Sequence, residues 1–242
     1  MKEMKVGEND RLVTLLTKEH GVIRAFCTGS LKSSSKSLSA AAFLSYSRFT
    51  VYKGRDTYKI NDARPEKIFW ELRNDFTLLS LASYFCEVCM DLAPKEQPDE
   101  DFLRLLLNCL HLLTSGNKSL SPEHIKAVFE LRCCIYAGYM PDVTACCECK
   151  DELGSTIGFD VLGGVCACEK CFSKHKCRGM IQVSGSVIAA MRHIIYSPLE
   201  KCFSFRLNEK NEKSLADLCE NFLIVQSDRN FDTLRFYKTY KI

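Results

Sequence analysis

The residues with the clearest chemical signature are cysteines in two close pairs. Cys146 and Cys149 form one; Cys168 and Cys171, after eighteen intervening residues, form the other. Two C-x-x-C knuckles at this separation are the usual layout of a four-thiolate zinc site. Each knuckle gives two sulfurs to one metal, and a hairpin between them would bring the pairs together. Four thiolates impose a closed tetrahedral shell, which favours zinc, one ion per chain, over softer or redox metals. With no open coordination position the zinc is expected to be structural. Lys150, Lys170, Lys174 and Lys176 would soften the negative charge of such a centre. The register has an alternative, because Cys166-Ala167-Cys168 offers a second start to the later knuckle; Cys147, His175 and Cys177 also lie close by. Cys86, Cys89, Cys133, Cys134 and Cys219 fall on apolar helical faces and read as core, where a free cysteine acts as a small hydrophobe.

No catalytic template accompanies the cysteines. The chain has no G-x-x-x-x-G-K-S/T run, no G-x-G-x-x-G, no H-E-x-x-H and no G-x-S-x-G. None of the five histidines (His20, His111, His124, His175, His193) supplies the H-x-E that a zinc deaminase places ahead of its cysteine pair. The expectation is a protein that is not an enzyme.

Two kinds of element must position these residues. The first 62 residues read as β-structure: Leu12–Thr17, a turn at Lys18-Glu19-His20-Gly21, Val22–Cys27, Ala41–Tyr52, a turn at Lys53–Asp56, and a strand from Thr57. Short strands at close spacing favour a small antiparallel barrel. At Pro65 the pattern turns helical, since proline suits a first helical position. Asn74 and Asp75 can cap a helix carrying Leu78, Leu81, Ala82, Phe85 and Cys89. Further stripes run through Phe102, Leu106, Leu110 and Leu113, through Ile125, Val128, Phe129, Arg132 and Tyr136 after Ser121-Pro122, through Val187, Ile188, Met191, Ile194 and Ile195, and through Leu215, Leu218, Cys219 and Phe222. Phe231–Ile242 suits either a last helical turn or a strand. The fold class is α+β, with residues 1–63 as a barrel domain and 64–242 as a helical domain that embeds the cysteine segment 141–180.

Composition bounds what such a protein can be. In 242 residues, 46% hydrophobic and 26% charged content excludes global disorder. No signal-peptide pattern and no run of eighteen apolar residues is present, so a cytoplasmic location and no membrane partner are expected, and disulfides are not. The formal charge of +3 hides an asymmetry, because the basic excess lies within the first 62 residues. Lys32 and Lys36 flank a serine run after Thr28-Gly29-Ser30, a loop suited to phosphate oxygens.

The order of these features resembles the bacterial RecO family. Gly7-Glu8-Asn9-Asp10-Arg11-Leu12-Val13-Thr14-Leu15-Leu16-Thr17 with His20-Gly21 looks like the family's opening strand and turn. Thr28-Gly29-Ser30 with Lys32 and Ser37 is similar to its glycine-basic-serine loop, and Leu81–Glu87 to its first bundle helix. Phe129-Glu130-Leu131-Arg132 and Gly138-Tyr139-Met140-Pro141 precede Cys146, and Phe159-Asp160 and Gly163-Gly164 precede the second knuckle, as in the family. The family pattern carries more strand residues ahead of Lys2, and many members lack the full cysteine set.

The resemblance implies an N-terminal OB-fold barrel, a helical bundle with an embedded four-cysteine zinc-ribbon-like insertion, and a nucleoid-associated recombination mediator. Such a protein binds single- and double-stranded DNA, anneals complementary strands, binds the C-terminal tail of SSB, and acts with RecR to load RecA onto SSB-coated DNA. An oligonucleotide-binding barrel tracks phosphates with bases and stacks nucleobases on aromatics. Arg11, Lys18, Arg24, Lys32, Lys36, Arg48, Lys53 and Arg55 could supply the first; Phe26, Phe43, Tyr46, Phe49 and Tyr52 could supply the second. The rival readings are a non-catalytic interaction scaffold with structural zinc and an enzyme of unrecognised type.

Overall fold

A computed structural model describes residues 1–30, 37–55, 57–116, 120–175 and 179–240. The chain divides into two units, residues 1–116 together with 231–242, and residues 117–230.

The first unit opens with strands β1 (Lys2–Val6), β2 (Asp10–Thr17) and β3 (Gly21–Cys27), a meander in which each strand pairs antiparallel with the next. Period-two alternation sends Val13, Leu15, Ile23, Ala25 and Cys27 into one core. A short helix, α1 (Ser37–Ala40), leads to β4 (Ser45–Lys53) and β5 (Tyr58–Ile68). The sheet order is β1-β2-β3-β5-β4, with β3 and β5 parallel through Ala25–Tyr58 and Phe26–Lys59. Five strands, a crossover and one parallel pair make the partly open Greek-key barrel of an OB-fold.

Pro65 corrects the helical start expected there. It lies within β5 opposite Ser47, where the ladder shifts register between Tyr46 and Ser47. A bulge tolerates a residue without an N–H, so the local signal for a helix start gives way to strand pairing. The segment expected as strand from Ala41 also begins later, at Ser45. Gly21, at φ +54°, starts β3 where a Cβ would stand 2.2 Å from the Pro94 carbonyl oxygen. Only glycine allows that approach.

A 3-10 turn (Trp70–Asn74) precedes α2 (Phe76–Leu92), whose Asp75 cap accepts from the Leu78 N–H at 3.0 Å. Helix α3 (Asp101–Thr114) follows, burying Phe102, Leu105, Leu106, Cys109, Leu110 and Leu113.

In the second unit α4 (Pro122–Tyr136) starts on a Ser121 cap with proline in its first turn and is buried continuously from His124 to Cys134. Strands β6 (Asp142–Cys146), β7 (Thr156–Asp160), β8 (Val165–Cys168) and β9 (Met180–Ser184), with α5 (Glu169–His175) between β8 and β9, make a sheet of order β6-β8-β7-β9. Helices α6 (Gly185–Tyr196) and α7 (Glu209–Ser227) pack with α4. Because α4 is covered all round, its polar residues need internal partners. Lys126 Nζ meets Glu130 Oε1 and Glu220 Oε2, both at 2.8 Å, and His124 lies 3.2 Å from the Phe203 carbonyl and 3.6 Å from Glu212. The chain returns to the first unit as α8 (Asp232–Tyr240), whose Leu234 and Tyr237 are buried and whose first turn donates from Thr233 N–H to Glu87 of α2. No helix among the described residues is long and apolar enough to cross a membrane.

Candidate metal centre and nucleic-acid surface

The four sulfurs of Cys146, Cys149, Cys168 and Cys171 all lie within 4.8 Å of one another. Each backbone element has a reason to hold its share. Strand β6 ends at Cys146, and Arg192 of α6 secures its edge by donating to the Val143 carbonyl at 2.6 Å and the Thr144 carbonyl at 3.0 Å. Past Cys146 the Cys147 N–H donates to the Cys166 carbonyl at 2.7 Å, and the first knuckle closes with Lys150 N–H on the Cys146 carbonyl at 3.0 Å. Lys150 takes the left-handed conformation, φ 65°, that turns the following residue back so that the Asp151 carbonyl accepts from the Cys146 N–H at 3.0 Å. On the other side β8 delivers Cys168, and one turn of α5 delivers Cys171. Gly158 of β7 lets the Phe172 ring of α5 lie across the strand, since a Cβ there would stand 2.5 Å from it.

This geometry fits a metal ion. Sulfurs about 2.3 Å from a tetrahedral zinc stand about 3.8 Å apart, and Cys149 Sγ and Cys168 Sγ are 3.7 Å apart. Burial pushes the Cys146 thiol up, but N–H groups of Cys149, Cys168 and Glu148 and the Cys149 thiol outweigh it and hold it down to about 6. Burial, with the neighbouring Cys149, Cys168 and Cys146 sulfurs, pushes Cys171 up to about 12. Cys149 is drawn down by the Asp151 N–H but raised on balance by burial and by Cys146 and Cys168. A metal ion arriving at the centre would have to displace protons that Cys149 and Cys171 hold more tightly than a free thiol does. Among the described residues Cys166 stands outside the quartet, buried in β8 opposite Cys146 and Phe159, with burial raising its thiol to about 12. Cys177 lies outside the described residues.

The barrel carries a different kind of surface. Phe26 on β3 lies opposite Lys59 on β5, which lies opposite Tyr52 on β4. Farther along, Arg48 faces Arg64 and Tyr46 faces Lys67. Arg24, Arg48, Lys59, Arg64 and Lys67 are exposed, as are Tyr46 and Tyr52; Asp62 and Glu66 are the exposed carboxylates of β5. Arg48 pairs with Glu66 at 2.9 Å and Arg64 with Asp62 at 3.1 Å. Exposed pairs of this kind are worth little and part easily.

The expected phosphate contacts divide by environment. Arg24 and Arg55 are exposed. Lys18 pairs with Glu100 at 3.0 Å, and Lys53 with Glu96 at 2.7 Å, each carboxylate raising its partner's pKa. Arg11 is buried, bound to Glu3 at 2.5 Å and to the Ser30 hydroxyl and carbonyl at 3.1 Å each, so its guanidinium is engaged inside the unit. Lys32 and Lys36 lie outside the described residues. Of the aromatics, Phe49 packs against the barrel core, and Phe26 and Phe43 are half-buried.

Family models for the N-terminal and C-terminal parts of recombination protein O match residues 1–69 and 73–235. The chain belongs to the recombination protein O family. DNA repair protein RecO of Acetivibrio thermocellus is 30% identical over 239 residues, covering 99% of this chain and 94% of that protein. The RecO proteins of Alkaliphilus metalliredigens, 28% identical over 243 residues, and Caldicellulosiruptor saccharolyticus, 26% over 241, are covered to 96% each. RecO membership assigns the chain to DNA repair, with its OB-fold at the N-terminus and its helices and cysteine cluster after it.

Sequence reasoning missed Lys59, Arg64 and Lys67, which join the barrel face only through the pairing of β4 with β5. It included Arg11, although the alternation Arg11, Val13, Leu15 already placed that arginine on the inward face.

Proposed function

We propose that this RecO protein binds single- and double-stranded DNA on the outward face of its barrel and anneals complementary strands. Acting with RecR, and through the C-terminal tail of SSB, it helps RecA load onto SSB-coated single strands. The observation that carries the reading is the β3-β5-β4 face, where five exposed cations outnumber two carboxylates beside Tyr46 and Tyr52. Cations meet phosphates without reading sequence, and exposed rings give nucleobases a stacking surface. Annealing needs no bond chemistry: the repulsion between two polyanions must be neutralised while their base edges stay free to pair. No catalytic group is required, and the protein acts as a mediator and not as an enzyme.

The cysteine quartet is read as the seat of one structural zinc per chain. Bound there, zinc would neutralise the clustered thiolates and tie β6 to the start of α5. Its closed shell would offer nothing to a substrate.

Single-strand binding measured by fluorescence anisotropy against salt tests the DNA reading. Five phosphate contacts predict a log–log slope of about −3.5. Replacing Arg48, Lys59 and Arg64 by alanine should flatten that slope by about 2 and slow annealing, with the thermal midpoint kept. No binding at low salt, or a slope indifferent to these substitutions, would overturn the assignment.

A further inference from the structure

The cysteine quartet is closed toward a metal but open at one of its ligands. Of the described cysteines only Cys149 is exposed; Cys147 and Cys171 are half-buried and the remainder are buried. Cys149 lies past the end of β6, between exposed Glu148 and Lys150. Cys146, in the same knuckle, is buried, and its sulfur accepts from the Cys168 N–H at 3.3 Å. A thiol that binds a metal has lost its proton, and the thiolate is the form that attacks oxidants. The exposed ligand is therefore the point at which a small oxidant reaches this centre. A second sulfur is in reach to complete the reaction, because Cys168 Sγ lies 3.7 Å from Cys149 Sγ.

The helix that follows depends on the same centre. Helix α5 has seven residues, too few to hold a helix alone, since about 12–15 are needed in water. Its Cys171 and Phe172 join a small core with Cys146, Cys168, Leu153 and Met180, so ligand side chains make up much of its packing. Helices α4, α6 and α7 pack on one another and have no such dependence.

We propose that Cys149 is a peroxide-oxidation site of this protein, whose oxidation closes a disulfide with Cys168, releases the metal and loosens α5. The Cys149 thiolate attacks one oxygen of hydrogen peroxide, the O–O bond breaks and hydroxide leaves, giving a sulfenic acid. The Cys168 thiolate then attacks that sulfur, the S–O bond breaks and a second hydroxide leaves. Two protons turn both hydroxides into water. The two sulfurs give up two electrons, and the peroxide takes them. Cys146 and Cys171 are then the only ligands left, too few for a closed tetrahedral site. The proposal rests on the zinc reading of the quartet and extends it to the chemistry of the ligands.

The full chain holding zinc is treated with hydrogen peroxide while a chromogenic chelator reports free metal. One zinc should be released per disulfide formed. Peptide mass spectrometry should place that disulfide between Cys149 and Cys168, and dithiothreitol with added zinc should restore the site. In hydrogen exchange the α5 amides should lose protection by about tenfold or more while those of α7 keep theirs. Cys147→Ser removes the half-buried thiol beside the quartet and should release zinc as wild type does.

Zinc retained by a chain whose quartet stays reduced would overturn the proposal and leave the zinc reading standing. A disulfide other than Cys149–Cys168, or release that Cys147→Ser abolishes, would overturn it by placing the attack elsewhere. Release with α5 still protected would overturn the coupling to the helix. A chain purified without zinc would sink both the proposal and the zinc reading. Should Cys147→Ser unfold, the disulfide map of the unaltered chain still decides.

Discussion

Removing the ammonium of Lys126 should destabilise the second unit strongly. The side chain is 5% exposed and sits 2.8 Å from each of Glu130, which is 0% exposed, and Glu220. Burial alone would lower the lysine's pKa, but the two carboxylates outweigh it and raise it above the ordinary value. The lysine's contribution is therefore complete below its unfolded pKa, near 10.4, and is lost only as pH climbs through the higher folded value. Lys126→Met keeps most of the volume and leaves Glu130, fully buried, and Glu220, largely so, without the ammonium they share. Breaking a buried ion cluster by removing one member costs about 3–5 kcal/mol. In hydrogen exchange, α4 amides that open with the unit should then exchange about 10² to 10⁴ times faster than wild type.

The pH dependence separates charge from packing. In the variant one carboxyl must take up a proton on folding, so the penalty exists above the unfolded glutamate pKa near 4.3 and grows by up to about 1.4 kcal/mol per pH unit. The ratio of variant to wild-type exchange rates should fall from pH 8 to pH 5. A packing defect alone would leave it constant. Glu130→Leu and Glu220→Met added to Lys126→Met should restore protection to within about 1 kcal/mol of wild type, because an apolar replacement carries no desolvation cost. Loss below 1 kcal/mol in the single variant, or a ratio indifferent to pH, would refute the reasoning.

Three further outcomes follow from particular contacts. Gly21→Ala puts a methyl 2.2 Å from the Pro94 oxygen and 2.6 Å from the Gln97 oxygen at a positive φ, so thermal unfolding should show a loss of about 2–4 kcal/mol; an unchanged midpoint would contradict the close approach. Arg11→Ala should destabilise the protein by about 2 kcal/mol, less than a fully buried pair because Glu3 is 38% exposed, and should leave the salt slope of DNA binding untouched. Metal analysis should find one zinc per chain, lost on Cys171→Ser, with affinity in a chelator competition falling as pH drops because protons compete for sulfurs such as Cys171, held near 12; pH-independent affinity would count against thiolate ligation.

The cysteine quartet was legible in the sequence because each knuckle is a local turn, and one turn sets the spacing of both its ligands. The barrel strands were legible for the same reason, through alternation at Val13–Leu15 and Ile23–Ala25–Cys27. What escaped was whatever depends on distant pairing. Lys59 and Arg64 become part of a face only when β5 takes its register against β4. The Lys126 cluster needs Glu220, which arrives from α7, 94 residues later. Pro65 carried a true local signal that a bulge in the ladder overrode. The choice between Cys166 and Cys168 was open in sequence because both lie beside the knuckle; the turn from β8 into α5 carries Cys168 to the cluster, and Cys166 stays in the strand.

Arg48 and Arg64 give the barrel face its clearest departure from a surface arranged for stability alone. They stand directly opposite each other across β4 and β5, a placement that costs stability because like charges meet across a strand pair. Each leans on a separate carboxylate, Glu66 or Asp62, through an exposed pair that water and salt weaken. A phosphate placed between the two guanidiniums would relieve their repulsion and accept from both, a gain the free protein cannot obtain from either carboxylate alone. Arg11 shows the opposite arrangement: a buried guanidinium with fixed partners on Glu3 and Ser30, which lowers the energy of the folded chain and has nothing left to offer a ligand. Arginines that look alike in the sequence therefore separate by whether their partners are buried or exchangeable. On the proposed DNA reading, that criterion favours β4 and β5 over Arg11 as the source of phosphate contacts.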